Sequence, residues 1–321
     1  MSDRVLRHVL ESISPASAAH AEGARQNVAG AGTPVLERLA MAVGGAQHSA
    51  RPRAERRTIV VIAGDHGVGD PGIVLGAAHP TVVAAHAIAD GTAALAQVAR
   101  ASKTPVLLVD AGAKETASMP ATAVHLGRGA SADLFRGPAM TIVDAALGLE
   151  AGIALAISLA DPGLDVLAIG AIGVGADVAS MALLGAALGA APTGFSDPVA
   201  EAAGARGAEL AGASGLDLLA AFGGPETAVL AGLIVTAASM NVPVVLDGFA
   251  TGAAALIAAR LAPQVTGYLV AAHGGTFTHA RILAHLGLSP VFEVGLGHGE
   301  GTGAAMVLPL LDQVAALVAR G

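Results

Sequence analysis

Four glycines surround one acid and one imidazole in the seven residues Gly297-His298-Gly299-Glu300-Gly301-Thr302-Gly303. Glycine lets a backbone approach a ligand closely and adopt conformations closed to other residues. Ala304 to Ala319 reads as a helix, so this loop lies at a helix N-terminus, where free N–H groups and the helix dipole favour anions. A carboxylate in that position either starts the helix or acts as a base held against a substrate. The glycines favour the second reading, with Glu300 as the candidate base and His298, Gly299 and Gly301 as candidate substrate contacts.

Other residues with chemical potential stand in similar settings. Gly64-Asp65-His66-Gly67-Val68 places an acid and an imidazole after an apolar run. Asp65 and His66 could ligate a metal or orient a substrate. Alternatively, they form a tight turn in which Asp65 caps backbone N–H groups and His66 packs. No His-x-x-x-His pair or similar ligand spacing completes a metal site. Gly170-Ala171-Ile172-Gly173-Val174-Gly175 has the form of a phosphate loop without the full dinucleotide fingerprint or a Gly-Lys-Ser/Thr ending. Gly170, Gly173 and Gly175 are its candidate contacts, and Asp177 just beyond would repel a phosphate held there. Asp247-Gly248-Phe249 either holds the next loop by side-chain to backbone bonds or meets a substrate hydroxyl. His273 follows an apolar run and is a site candidate. His279 and His285 fall in a helical segment and read as surface or partly packed residues.

The elements that must position these residues are legible in the apolar pattern. Continuous β-branched runs occur at Thr58 to Ala63, Pro105 to Val109, Val166 to Ile169, Val244 to Leu246 and Thr266 to Val270. Helical segments lie between them: Pro80 to Arg100, Met140 to Leu159, Val178 to Leu188, Glu226 to Met240 and Thr251 to Leu261. Before them come helix candidates at Val5 to Ile13, Ala16 to Asn27 and Val35 to Val43, then a polar connection, Ala46 to Arg57, read as a solvated loop. Continuous apolar strands alternating with helices predict a parallel sheet covered on both faces. Each strand ends in glycine plus a polar residue, and ligands bind beyond the carboxyl ends of such strands. Five strand ends therefore converge on one edge.

Composition narrows the function classes. The 321 residues include no cysteine, which excludes disulfides, thiolate metal sites and thiol nucleophiles. Aromatics are 2% and the net charge is −8, so base stacking and a general polyanion-binding field are both disfavoured. The 43 glycines and abundant alanine predict close-packed elements with small residues at their contacts. Met1 to Leu10 lacks the apolar core of a secretory signal, and a cytoplasmic location is expected. Thr227 to Leu246 is uncharged and long enough to span a bilayer, but Asn241 and Pro243 divide it into a buried helix and a strand.

Taken together, the chain resembles the nicotinate-nucleotide:dimethylbenzimidazole phosphoribosyltransferase family. The matching stretches are Gly64-Asp65-His66-Gly67-Val68, Gly137-Pro138-Ala139-Met140-Thr141, Gly223-Gly224-Pro225-Glu226, Pro243 to Phe249, Ala280 to Leu286 and Gly299-Glu300-Gly301-Thr302-Gly303-Ala304. The resemblance implies an α/β fold, a Rossmann-like parallel sheet with helices on both faces, and a small helical domain built from both chain ends. The implied division is 1–57 as an N-terminal helical segment, 58–303 as the α/β core and 304–321 as a C-terminal helix. It also implies a homodimer, and transfer of phosphoribose from nicotinate mononucleotide to a benzimidazole nitrogen with Glu300 as general base. That chemistry requires neither a metal nor an organic cofactor. No nucleic-acid or membrane partner is expected.

The pattern departs from the family at several positions. Ala171 and Ala176-Asp177-Val178 replace a Glu and the Asn-Thr-Thr of the phosphate site, and Val74 replaces a base-site Ser. Gly275 and Phe277 replace a Ser and a Glu, while Gly297-His298 replaces Arg-Leu. The opening Lys-Pro-Pro-Gly-Ser-Leu is reduced to Gly32-Thr33-Pro34-Val35-Leu36, and a lysine near residues 192–200 is absent. The alternative expectation is therefore a non-catalytic or accessory paralogue that binds a nucleotide, a base or a partner subunit. A different enzyme using His298 and Glu300 as an acid–base pair is a further alternative.

Overall fold

The computed structural model describes residues 2–29, 33–69, 72–193, 197–293, 295–296 and 299–319. Among these, three helices come first: α1 (Ser2–Glu11), α2 (Ala18–Val28) and α3 (Pro34–Ala46). Then follow β1 (Arg57–Gly64), α4 (Pro80–Ala89), α5 (Ala94–Ala101), β2 (Val106–Gly112), β3 (Val124–His125) and α6 (Ile142–Ala160). The second half holds β4 (Val166–Ile172), α7 (Ala176–Leu188), α8 (Pro198–Ala208), α9 (Gly215–Phe222), α10 (Pro225–Ser239) and β5 (Val244–Leu246). It ends with α11 (Phe249–Leu261), β6 (Leu269–Ala271), α12 (Phe277–His285) and α13 (Thr302–Val318).

All neighbouring strands pair in parallel, in the order β3-β2-β1-β4-β5-β6. This is the doubly wound order, with its reversal point between β1 and β4. The strands read as uninterrupted apolar runs because both faces are covered. In β1, Val60 and Ile62 enter one core with α6, α7, α10 and α11, while Ile59, Val61 and Ala63 enter a second core with α3, α4, α5 and α13. The two-residue side-chain period of a strand produces this division.

Small residues set the helix spacing. A side chain at Gly152 of α6 would overlap the Val229 carbonyl of α10, and one at Gly232 of α10 would overlap the Leu149 carbonyl of α6. A side chain at Gly185 of α7 would likewise overlap the Gly204 carbonyl of α8. These contacts are where the glycine-rich composition is used.

Several element expectations shift. Pro80 to Arg100 is not one helix, because Gly91 takes φ +77° and separates α4 from α5. The strand expected from Thr266 begins only at Leu269, since Pro263–Tyr268 winds as a 3-10 helix. This turn buries Tyr268, whose hydroxyl donates to the Ser14 carbonyl at 2.9 Å and lies 3.0 Å from Asn241 Oδ1. The short edge strand β3 and helices α8 and α9 were not anticipated. The Arg-rich connection is only partly solvated: Arg56 pairs with Asp165 at 2.7 Å, and Arg57 opens β1 and pairs with Asp312 of α13. The uncharged run from Thr227 divides into α10 and β5, as its Asn and Pro predict. By length and composition, Pro80–Ala101 and Ile142–Ala160 could cross a membrane, although the first is the stretch broken at Gly91.

Candidate active site

The carboxyl ends of β4, β5 and β6 and the N-terminus of α7 enclose a cavity of about 310 Å³. A volume of this size can hold part of a small ligand. Ala171 and Gly173 contribute from the end of β4, Gly248 and Phe249 from the turn after β5, and His273 and Thr276 from beyond β6. Asp177 of α7, Asp197 before α8, His279 of α12 and Gly299 also line it.

Gly299 reaches this position because the chain returns along β6. Val291 and Phe292 donate N–H groups to the Ala271 and Ala272 carbonyls, and Gly274 donates to the Phe292 carbonyl. The Ala171 N–H then donates to the Gly299 carbonyl at 2.9 Å. Beneath the next peptide lies Gly170, where any side chain would overlap the Glu300 carbonyl and the Gly301 nitrogen. Gly301 takes φ +107° as it starts α13, a conformation that favours glycine. Glu300 is half-buried between these two anchors.

Asp247 fastens the same segment. Its carboxylate is fully buried and accepts the Gly301 N–H at 2.6 Å and the Ala304 N–H at 2.9 Å. Asp247 thus makes side-chain to backbone bonds, but to the distant start of α13 and not to the next loop, and both its oxygens are committed to backbone. Two charge-assisted bonds at a helix start suit the dipole of α13.

Asp65 has a similar bracing arrangement. Its carboxylate accepts the Val174 and Lys114 N–H groups at 2.8 Å each, together with the Thr81 hydroxyl. It thereby ties the turns after β1, β2 and β4 together. His66 is also buried and faces Glu226, with Nε2 at 2.9 Å from Oε1, while Nδ1 lies 3.3 Å from the Ser131 hydroxyl. Burial opposes the His66 cation, but the Glu226, Asp65 and Asp177 charges outweigh it and raise its pKa. Burial likewise opposes the Glu226 anion, and His66 outweighs it and lowers the pKa. The pair is an internal salt bridge, which the isolated sequence motifs did not connect.

Of the sequence candidates, Gly173, Gly248, His273 and Gly299 line the cavity. Asp65, His66 and Asp247 stand behind it as buried braces, and Gly170 lies under the Glu300 peptide. Gly175 takes φ +82° at the start of α7, and Gly301 occupies the corresponding place at α13. His298 and Gly297 lie outside the described residues.

His279, a surface or partly packed residue by its sequence setting, is instead buried, 1% exposed. Its ring stacks on His273 with centroids 5.5 Å apart, because α12 packs against the glycine-bearing turn of α11 at Gly252. Burial, followed by the neighbouring His273, pushes the His279 pKa down to about 4. Asp177 lies on the wall of the cleft, in contact with water. Crowding by the cleft and then the Asp197 charge raise its pKa, with His66 opposing. Asp197 itself caps α8 by accepting the Val199 N–H at 2.9 Å. The acid at Asp177 was visible as a sequence departure. Its meeting with Asp197, 20 positions away and beyond a helix, had no local signal.

A family model described as a phosphoribosyltransferase matches residues 13–320. The chain is 34% identical to a nicotinate-nucleotide--dimethylbenzimidazole phosphoribosyltransferase from Desulforudis audaxviator, covering 98% of this chain and 95% of that protein. It is 37% identical to the protein of the same name from a Roseiflexus species, covering 86% and 82% respectively. Among solved structures, the phosphoribosyltransferase of that name from Thermus thermophilus superposes with a TM-score of 0.81 at 30% identity, covering 94% of each chain.

Proposed function

The chain belongs to the nicotinate-nucleotide:dimethylbenzimidazole phosphoribosyltransferase family, and from that membership we propose its donor, acceptor and base. Its class is settled by the same relationship: it is a phosphoribosyltransferase, a glycosyltransferase-type enzyme of cobalamin lower-ligand synthesis. The donor is nicotinate mononucleotide and the acceptor is 5,6-dimethylbenzimidazole or a related aromatic base. Glu300 accepts the proton of the attacking base's N–H as the nitrogen lone pair forms a bond to the anomeric carbon. The donor's C–N bond breaks with its electron pair going to the departing nicotinate.

The clamped segment Gly299-Glu300-Gly301 carries this reading. Backbone bonds to β4 and to Asp247 fix the carboxylate's peptide beside the cavity, which supports catalysis by positioning. Nicotinate release from nicotinate mononucleotide and 5,6-dimethylbenzimidazole, compared between wild type and Glu300→Gln, tests it. A loss of about 10²- to 10⁴-fold in the variant supports the base assignment, and equal release by both proteins removes it.

The partner we propose is a second copy of this chain. On α6, Ile142, Val143, Leu147 and Ile157 are exposed on the side away from α10, and Val143 is 65% exposed. Covering this apolar face is the rationale for a homodimer. We place the enzyme in the cytoplasm.

A further inference from the structure

The cavity combines two features that bear on the donor. Among the described residues, no lysine or arginine lines it, whereas Asp177 and Asp197 both do. The chain has only two lysines, Lys103 and Lys114, both outside this lining. The N-terminus of α7 would ordinarily favour a bound anion, but Asp177 occupies its first turn and supplies the negative charge itself. A phosphate beside these two carboxylates meets like charge, and the His66 cation that acts on Asp177 is buried behind the cavity and already paired with Glu226.

Hydroxyl-bearing groups fit the same walls. Carboxylates accept from O–H groups, and neutral imidazole both donates and accepts. His273 and His279 are 2% and 1% exposed; neither His273 ring nitrogen has a hydrogen-bond partner among the described residues, although Nε2 lies 3.4 Å from Asp247 Oδ1, and the His279 ring faces the His273 and Gly248 backbone. Buried polar atoms without partners are uncommon, and both histidines belong to the cavity wall. A ligand with several hydroxyls can satisfy them without bringing a charge.

We infer that this chain has a further activity, ribosyl transfer from a donor whose 5′ end carries a hydroxyl instead of a phosphate, with nicotinate riboside as the chemical type. The inference rests on the transferase reading above. In the reaction the bond between C1′ and the pyridinium nitrogen breaks, and its electron pair neutralises the pyridinium as nicotinate leaves. A benzimidazole nitrogen lone pair forms the new bond to C1′, and the benzimidazole N–H proton passes to Glu300. Donor and acceptor are the two substrates, and no oxidant or further co-reactant enters.

The test measures binding and turnover separately. Titration calorimetry of the full chain with nicotinate riboside and with nicotinate mononucleotide gives the binding preference. The riboside is expected to bind at least about tenfold tighter. Asp177→Asn and Asp197→Asn keep side-chain shape, and Asn serves as an N-cap as well as Asp does. Each is expected to improve mononucleotide binding relative to riboside binding, narrowing or reversing the preference by removing one like charge. Preference for the mononucleotide by wild type, a preference unaltered in both variants, or binding of neither donor overturns the inference.

Nicotinate release with 5,6-dimethylbenzimidazole is the second readout. Release from the riboside at least as efficient as from the mononucleotide, and abolished by Glu300→Gln, supports the activity. Turnover confined to the mononucleotide overturns it and leaves the transferase reading intact. Tight riboside binding with no release from either donor overturns the transferase reading and, with it, the ribosyl transfer.

Discussion

The Gly301 N–H donates to Asp247 Oδ2 at 2.6 Å, joining the start of the last helix to the turn after β5. The other oxygen of Asp247 takes the Ala304 N–H, so one buried carboxylate holds the chain immediately after Glu300, while the Ala171 N–H holds the Gly299 carbonyl before it. Asp247→Asn presents an amide N–H₂ to one of these donors. Stability is expected to fall by about 1–3 kcal/mol, the cost of a buried group losing its partner. The kcat for nicotinate release is expected to fall by up to about a hundredfold as the base shifts. Urea unfolding and steady-state kinetics measure the two effects, and an unchanged kcat would show that Glu300 is not positioned from this side.

Gly170 gives a sharper contrast between activity and stability. The Glu300–Gly301 peptide lies directly over it, so Gly170→Ala must push that peptide away. Overpacking of this kind costs about 1–3 kcal/mol, and the displacement acts on the residue proposed as base. Gly137→Ala, where an added methyl meets nothing within 4 Å, is the control. It is expected to stay within about 0.5 kcal/mol of wild type with full activity. Equal kcat in the two variants would contradict the clamping role.

The His66–Glu226 pair makes stability depend on pH from both sides. His66 has a raised pKa, so its contribution is complete below the unfolded value of 6.5 and is lost as pH rises through the folded value. Glu226 has a lowered pKa, so its contribution is complete above 4.5 and is lost as pH falls through the folded value. Glu226→Gln leaves a buried imidazole without its counter-ion and is expected to cost about 3–5 kcal/mol. It should also reverse the alkaline limb for this pair, because a buried imidazole without its anion folds best when neutral. Denaturant midpoints for both proteins from pH 5 to pH 9 decide this; parallel profiles would show that the pair is uncharged.

The apolar face of α6 predicts a change in assembly without a change in fold. Val143→Glu puts a charge on an exposed helical position, so the isolated chain should lose less than about 0.5 kcal/mol. If this face joins two copies, sedimentation velocity should show a dimer for wild type and a monomer for the variant. A wild-type monomer, or a dimer unaffected by the charge, would place the contact elsewhere or remove it.

Much of this architecture is legible along the chain. The principal strands and helices and the parallel character of the sheet follow from apolar runs separated by helical segments, because burial on both faces imposes that pattern locally. The matching motifs from Gly64-Asp65-His66 to Gly299-Glu300-Gly301 likewise carry the family assignment. The division at Gly91 and the 3-10 turn before β6 are less legible, since each depends on how one short segment meets the rest of the molecule.

What the sequence determined by itself is therefore the α/β scaffold, the family and a carboxylate set among glycines near the last helix. Tertiary structure alone decided the positions of the other polar residues. Asp65, His66 and Asp247 became buried braces because backbone N–H groups and Glu226 reach them from distant segments. His279 became the partner of His273, and Asp177 met Asp197 across the cavity. Periodicity records which face of an element is buried, but which polar groups meet there depends on chain crossings that no local pattern encodes.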